Sequence, residues 1–206
     1  MPETLIVLRS GATDYDLQGR IRGGLDLPLA PAGIAEAEEA GRQLEPLRPE
    51  ALYTAFQQCA IETGRIVASA VNLRPRVVRH LRNLDLGLWQ GLLVDDIRQR
   101  QPRLYRQWQD NPWAIAPPAG ELLEQACERV EAALEKLVRR HPSGAVGLVV
   151  PAPLDRIVRW VAAGESMGDL WQGDEPRPLV SVLPLAGQWA AGSRPTARPR
   201  GQTLRI

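Results

Sequence analysis

Short apolar runs alternate with amphipathic segments in the first half of the chain. Thr4 to Arg9 is an apolar, β-branched run closed by Ser10, which predicts a buried strand that feeds a loop. Ala32 to Leu44 carries apolar residues at helical spacing and predicts an amphipathic helix. The same patterns predict three further elements: a strand over Ala51 to Thr54, a helix over Gln57 to Ala70 and a strand over Arg76 to Leu81.

The second half continues the alternation with longer helices. Asp95 to Gln109 predicts a helix that Pro102 kinks or breaks, because proline has no backbone N–H to donate. Glu121 to Arg140 predicts a long helix, and the sequence His-Pro-Ser-Gly that follows predicts its end. The remaining predicted elements are a strand over Ala145 to Val150, a helix over Leu154 to Ala163, and late strands over Leu179 to Leu183 and Gln202 to Ile206.

Strands that alternate with helices over 206 residues predict one α/β domain, residues 1–206. We expect a three-layer α/β/α sandwich, with a mostly parallel central sheet and helices on both faces. In such sheets, ligands bind at the carboxyl ends of the strands. The loops after Arg9, Thr54, Leu81 and Val150 are therefore the expected site.

The composition excludes several classes of protein. The hydrophobic content of 44% and the net charge of +1 fit a soluble domain, and no long run of like charges indicates a nucleic-acid or membrane surface. Cys59 and Cys127 lie too far apart for a disulfide framework or a zinc site. We expect a cytoplasmic protein without a metal or cofactor. The single lysine, Lys136, is typical of a GC-rich bacterial genome.

Motifs with specific spacing follow the first predicted strand. Residues 9–13 read Arg-Ser-Gly-Ala-Thr, residues 19–23 read Gly-Arg-Ile-Arg-Gly, and residues 26–29 read Asp-Leu-Pro-Leu. They resemble motifs of the histidine phosphatase family, in the phosphoglycerate-mutase-like superfamily: Arg-His-Gly-Glu-Thr, Gly-Arg-x-Gln-Gly and Asp-x-Pro-Leu. Segments that are similar to later motifs of this family extend the resemblance to nearly the whole chain: Leu52 to Thr63, Leu81 to Gly91, Pro118 to Glu121 and Leu148 to Ala152.

The resemblance implies that four catalytic positions of the family hold other residues. Ser10 stands where the family has its nucleophilic histidine, and Cys59 where it has a phosphate-binding arginine. Asn83 replaces the acid that protonates the leaving group. Pro151, or Ala152 with a shift of one residue, replaces the second histidine. We therefore interpret the chain as a degenerate member, a pseudophosphatase.

The replacements remove the chemistry that phosphoryl transfer needs. A serine hydroxyl is a weak nucleophile without a neighbouring base, and we expect no base beside Ser10. Asn83 cannot give up a proton as a carboxylic acid can, so a factor of about 10²–10⁴ from general acid catalysis is missing. Asp16 stands where many members have an asparagine, and its carboxylate would repel phosphate. Arg9 clearly remains as a cation, with Arg20 as a candidate second one.

The candidate ligand-binding residues lie on these loops: Arg9, Ser10, Asp16, Arg20, Cys59 and Asn83. Two interpretations of Arg9 stay open, either contact with an anion or an ion pair with Asp16 or Asp85. For Arg20 and Arg22, whose loop is expected to edge the cleft, exposure to solvent is the favoured interpretation.

An active phosphomonoesterase or phosphotransferase with relocated catalytic residues is the first alternative. Its nucleophile would be Ser10 or Cys59, and Cys59 to Arg65 matches the Cys-x5-Arg signature of cysteine-dependent phosphatases. That chemistry requires a glycine-rich anion-binding loop, whereas this segment is predicted to be helical and contains Glu62. The structural interpretation, in which Cys59 is a small buried residue of a helix, is therefore favoured.

The second alternative is an interaction or scaffold protein that uses residues 95–118, within a helical cap of about residues 92–118. Trp108 and Trp113 would then contribute to a partner surface. His80 and His141 are expected to be structural or exposed residues. The expected partner is a small anionic ligand or a protein, including a second copy in a homodimer.

Overall fold

The computed structural model describes residues 2–167, 170 and 178–185. The predicted strand over Gln202 to Ile206 lies outside the described residues. The strands are β1 (Thr4–Arg9), β2 (Ala51–Thr54), β3 (Arg76–Val77), β4 (Ala145–Val150) and β5 (Val180–Pro184). The helices are α1 (Asp14–Leu17), α2 (Pro31–Leu44), α3 (Gln58–Val71), α4 (Val94–Arg100), α5 (Pro102–Asp110), α6 (Leu123–Arg140) and α7 (Leu154–Ala163).

The five described strands form one sheet in the order β3-β2-β4-β1-β5. Neighbours among the first four are parallel, and β5 pairs with β1 in the antiparallel direction. Strand β4 is central, so Val146 is level with both Leu5 of β1 and Ala51 of β2. The centre of the sheet is buried on both faces, which explains the nearly continuous apolar runs of β1 and β4.

Two helix pairs complete the three layers. Helix α2 packs against α3, and α6 packs against α7. Each pair buries its apolar side against the sheet, and one continuous core runs through all three layers. The predicted fold, a mostly parallel sheet with helices on both faces, is confirmed.

Three predicted elements differ from the observed ones by more than one residue or in their number. Strand β3 ends at Val77, because the chain turns there and Leu81 donates to the carbonyl of Val78. The predicted helix over Asp95 to Gln109 is two helices, α4 and α5, which separate at Pro102. Helix α6 begins at Leu123, because the carboxylate of Glu121 accepts from the backbone of Asp85 and binds Arg129.

The order of the strands brings three loops together at one edge of the sheet. The backbone N–H of Ser10, directly after β1, donates to Val150 at 2.8 Å. The N–H of Ala55, directly after β2, donates to Val149 at 2.8 Å. The loops after β1, β2 and β4 therefore meet at the carboxyl ends of parallel strands, where ligands bind in open α/β sheets.

The loop after β1 packs without a gap against the first turn of α2. A Cβ on Gly33 would overlap the backbone of Ala12, and a Cβ on Gly11 would overlap the backbone of Gly33. In the same helix, a Cβ on Gly41 would lie 3.4 Å from that of Ala70, an ordinary contact. The structure therefore has room for a methyl group at Gly41 but not at Gly33.

We expect Gly33→Ala to lower the free energy of unfolding by about 3 kcal/mol, because the backbone must shift to admit the methyl group. Gly41→Ala is the matched control and should raise it by about 0.5–1 kcal/mol, because alanine is the better helix former. Urea unfolding of both variants checks this. Equal effects at the two positions would contradict the close approach of the two backbones.

Candidate functional site

A cleft of about 630 Å³ opens at the carboxyl ends of the strands. Its walls come from the loop after β1, the segment after α1, the first turn of α4 and the loop after β4. Side chains from these segments that face it include Arg9, Ser10, Asp16, Arg22, Arg98 and Ala152. The cleft lies where the parallel sheet predicted it.

The guanidinium of Arg22 lies at the floor of this cleft. Its side chain is only 3% exposed, and its Nη1 donates to Asp16 Oδ2 at 2.9 Å and to Cys59 Sγ at 3.6 Å. Its Nη2 donates to the carbonyl of Ala152 at 3.1 Å. The interpretation of Arg22 as an exposed edge residue is therefore wrong. The physical reason is that a carboxylate and two further acceptors compensate its charge inside the protein.

Asp16 is held by the short helix α1 in the geometry that binds Arg22. Its Oδ2 accepts from the backbone N–H of Thr13 at 2.7 Å and from the hydroxyl of Thr13 at 2.8 Å. The Thr13 hydroxyl in turn accepts from the backbone of Asp16, which completes a capping box. The negative charge of Asp16 is thus committed to Arg22, instead of facing a ligand uncompensated.

Ser10 has a sulfur atom as its side-chain partner. It is 4% exposed at the end of β1, and its hydroxyl donates to Cys59 Sγ at 3.6 Å. Neither histidine of the chain faces the cleft. His80 is exposed in a turn, and the ring of His141 lies at the end of α6, with its Nε2 2.9 Å from the hydroxyl of Tyr53. No imidazole is therefore placed to activate the Ser10 hydroxyl.

Cys59 lies behind the wall of the cleft, in the first turn of α3. The residue is fully buried, and this burial raises the pKa of its thiol, against a smaller opposing effect of Arg22. The thiol is therefore protonated at neutral pH and is a poor nucleophile. Arg65 is exposed on the same helix, so the Cys-x5-Arg segment forms no anion-binding loop.

Asn83 also lies behind the wall, with its amide fully used in hydrogen bonds. The residue is 1% exposed, and its Nδ2 donates to the carbonyls of Gly23 at 2.8 Å and Ala152 at 2.9 Å. Its Oδ1 accepts from the backbone N–H of Leu154 at 3.2 Å. Asn83 therefore ties the loop after β4 to the segment that carries Arg22. An amide is needed there, because both donors and one acceptor are in use.

The loop after β4 contributes backbone atoms to the site. Ala152 forms part of the cleft wall, whereas Pro151 is buried beside it. The carbonyl oxygen of Ala152 accepts from both Arg22 and Asn83. Neither Pro151 nor Ala152 has a side chain that can transfer a proton.

Arg9 faces the cleft without a charged partner among the described residues. Its Nε is buried and has no hydrogen-bond partner, and the described part of the chain supplies it with no ion pair. The ion pair proposed with Asp16 or Asp85 is not formed, because Asp16 binds Arg22 and Asp85 accepts from the backbone of Gly87. The alternative interpretation of Arg9, contact with an anion, stays a prediction.

Arg20 turns toward the outer rim of the cleft. Its Nη1 donates to the carbonyl of Gly91 at 2.8 Å and its Nε donates to Gln18 Oε1 at 2.9 Å. Its guanidinium also lies 5.9 Å from the ring centroid of Tyr15. These contacts fasten α1 to the segment before α4, so Arg20 has fewer free donors than Arg9.

The cap region borders the cleft but offers no exposed tryptophan pair. Trp108 is 3% exposed and packs edge-to-face on buried Trp89, with ring centroids 6.0 Å apart. Trp113 is half-buried against Trp160, at a centroid distance of 5.0 Å. The prediction that Trp108 forms a partner surface is wrong, because its ring is part of the core.

The described ranges, residues 2–167, 170 and 178–185, contain no group of three or more histidine, cysteine or acidic side chains that could hold a metal ion. None of the helices within these ranges is long and apolar enough to cross a membrane.

The sequence matches a family model from Leu5 to Leu185, the last described residue. The model, described as histidine phosphatase superfamily (branch 1), covers residues 5–185. This protein belongs to the histidine phosphatase superfamily. A phosphoserine phosphatase 1 of Hydrogenobacter thermophilus is 25% identical over 179 residues, which are 87% of this chain and 85% of that protein. A glucosyl-3-phosphoglycerate phosphatase of Mycobacterium tuberculosis is 30% identical over 201 residues, 92% of this chain and 87% of that protein.

Solved structures that are similar to this chain share the fold. Mycobacterial glucosyl-3-phosphoglycerate phosphatase in complex with VO3 has a TM-score of 0.74 at 26% identity, over 82% of this chain and 85% of that chain. Bacillus stearothermophilus YhfR has a TM-score of 0.75 at 27% identity, over 88% of this chain and 90% of that chain. Both similarities agree with the three-layer α/β architecture.

The sequence interpretation missed Arg22 as a residue of the site. The signal was present, because arginine at position 22 stands where the superfamily motif has glutamine, while Cys59 stands where that family has arginine. The two replacements become linked only in three dimensions, where Arg22 Nη1 contacts the Cys59 sulfur.

We expect Asn83→Asp to lower the free energy of unfolding by about 2–4 kcal/mol at neutral pH, because two buried carbonyls lose their donor and face a carboxylate. Burial raises the pKa of such a carboxyl, and its protonated form regains one donor. The loss should therefore shrink as the pH falls. Urea unfolding at neutral and acidic pH checks this, with the exposed helix cap variant Asn72→Asp as a control. A loss that grows on acidification would contradict this role of the amide.

Burial also predicts that both thiols are unreactive in the folded protein. Burial raises the pKa of Cys127 to about 12, and it also raises that of Cys59. A thiol-specific disulfide reagent at neutral pH should label neither cysteine in native buffer and both in denaturing urea. Rapid labelling of Cys59 in the native protein would instead indicate a reactive thiolate.

Proposed function

We propose that this superfamily member binds a small anion in its cleft and does not hydrolyse phosphate esters. The observation that carries the proposal is the environment of Ser10. Its hydroxyl donates to a buried thiol whose pKa is raised, and neither histidine of the chain faces the cleft. The position at the end of β1 thus holds neither a nitrogen nucleophile nor an activated oxygen.

The missing acid supports the same conclusion. Phosphoryl transfer depends on positioned cations that stabilise the loosening phosphoryl group and on a proton for the leaving oxygen. The Asn83 amide cannot supply that proton, and its hydrogen bonds hold it behind the wall of the cleft. Arg9 and Arg22 nevertheless place two cations at the floor of the cleft. Binding without turnover is the function that this arrangement supports best.

A second candidate is an active phosphomonoesterase or phosphotransferase with relocated catalytic groups. The two curated relatives described above are named as phosphatases, so family membership favours this candidate, and the expectation of inactivity gains no support from them. Of the two proposed nucleophiles, Ser10 faces the cleft and Cys59 does not. Ser10 is therefore the residue on which this candidate depends. Cytoplasmic location, a protein partner and a homodimer stay predictions.

Hydrolysis of p-nitrophenyl phosphate, measured from about pH 4 to about pH 9, separates the two candidates. We expect no turnover by the unmodified protein, and measurable turnover by a variant that carries Ser10→His, Arg22→Gln, Cys59→Arg and Ala152→His. Asn83 is kept in this variant because its amide holds the loops together. Turnover by the unmodified protein that Ser10→Ala abolishes would overturn the proposal in favour of the active candidate.

A further inference from the structure

Two guanidinium groups line the floor of the same cleft, and both retain unused donors. Arginine offers five N–H groups. Arg22 commits three of them, to Asp16, Cys59 and Ala152, so that its Nε–H and one Nη2–H stay uncommitted. Arg9 commits none to the described part of the chain. Buried donors without an acceptor cost free energy, and an oxyanion in the cleft would supply acceptors for both groups.

The electrostatics of the floor also favour an anion. Asp16 faces Arg22 and balances one of the two positive charges. Glu36 lines the cleft as well, but its Oε2 accepts from the backbone of Ala12 at 2.9 Å. The charge of Arg9 has no ion-pair partner within the described residues. Among the described residues, an anion at this floor would therefore contact the guanidinium of Arg9, which has no ion pair, and the uncommitted Nε–H and Nη2–H of Arg22.

The contact between Arg22 and Cys59 explains why the second guanidinium comes from position 22. Arg22 Nη1 lies 3.6 Å from Cys59 Sγ, so the small side chain at position 59 leaves room for the guanidinium. Asp16 and the Ala152 carbonyl hold it from the other sides. Two arginines, at 22 and 59, would compete for this buried volume and for the single carboxylate.

We propose that Arg22 is the second anion-binding residue of this cleft, acting with Arg9 on a small tetrahedral oxyanion such as a phosphate group. The second guanidinium then comes from Arg22, in the segment after α1. Helix α3 does not supply it, because its residue at this place is Cys59. The inference rests on the anion binding in the proposed function, and it is independent of whether the protein turns over phosphate esters.

Titration calorimetry with inorganic phosphate tests this role. Arg22→Gln should weaken phosphate binding about tenfold or more, because a charge-assisted contact is lost. Arg42→Gln is the control, since it removes the same charge from an exposed ion pair with Glu39 on the outer side of α2. It should leave the affinity unchanged. Acetate, titrated in parallel, should bind more weakly than phosphate if the site fits a tetrahedral anion.

Moving the guanidinium from position 22 to position 59 tests whether phosphate binding can be restored. The double variant Arg22→Gln with Cys59→Arg returns a guanidinium to the same floor from α3, and it should restore phosphate affinity to within about threefold of the unmodified protein. Unchanged or tighter binding by Arg22→Gln alone would overturn the inference, because Arg22 would then block the cleft. Absence of phosphate binding by the unmodified protein would overturn it as well.

A further variant keeps the test decisive if Arg22→Gln does not fold, as judged by circular dichroism. Asp16→Asn retains an oxygen that can accept from Thr13, but it removes the carboxylate that holds Arg22 Nη1. Phosphate binding should tighten, and an unchanged or weaker affinity would overturn the inference. Hydrolysis by the unmodified protein together with weakened binding by Arg22→Gln would remove the proposed function and leave this role of Arg22 in place.

Discussion

The buried charge of Arg22 sets the conditions that the rest of the site must meet. A guanidinium with a side chain 3% exposed is stable only where acceptors surround it. Asp16 supplies the countercharge, and it reaches Arg22 only because the capping box of α1 fixes its carboxylate. The remaining acceptors come from α3 and from the loop after β4. One side chain thus joins four separate parts of the chain.

Backbone carbonyls supply many of the hydrogen-bond acceptors that hold the loops of the site together. The carbonyl of Ala152 accepts from Arg22 and Asn83, and that of Gly23 accepts from Asn83. Arg129 donates to the carbonyls of Arg82 and Asn83 and is itself held by Glu121. These bonds fix loop positions through an amide, backbone carbonyls and one ion pair. The arrangement suits a rigid binding cleft.

The elements that sequence patterns predicted well are those with simple periodicity. Strands β1, β2 and β4 have the predicted bounds, because a parallel strand buried on both faces is a continuous apolar run. Strand β3 is short and exposed at the edge of the sheet, so the apolar pattern over Arg76 to Leu81 overstates its length. Hydrophobic periodicity reflects burial, so it predicts the length of an exposed edge strand poorly.

The position of the cleft was predictable, whereas the direction of its key side chain was not. A parallel sheet places ligand sites at the carboxyl ends of its strands, which located the loops after Arg9 and Val150. The inward turn of Arg22 depends on Ala152, 130 positions away in the sequence. Charge patterns along the chain describe near neighbours, so Arg22 was assigned to solvent. Pairings of this range are decided by tertiary structure alone.

The central place of β4 in the sheet has a consequence for the assembly of the molecule. Strands β1 and β2 both pair with β4 and not with each other, so their facing edges have no partner until Ala145–Val150 joins them. During synthesis, the first half of the chain therefore carries two unsatisfied strand edges, a known route to misassociation. Ala152 follows β4 directly. The last strand to enter the parallel sheet thus delivers part of the cleft wall, so this wall is complete only when β4 has joined β1 and β2.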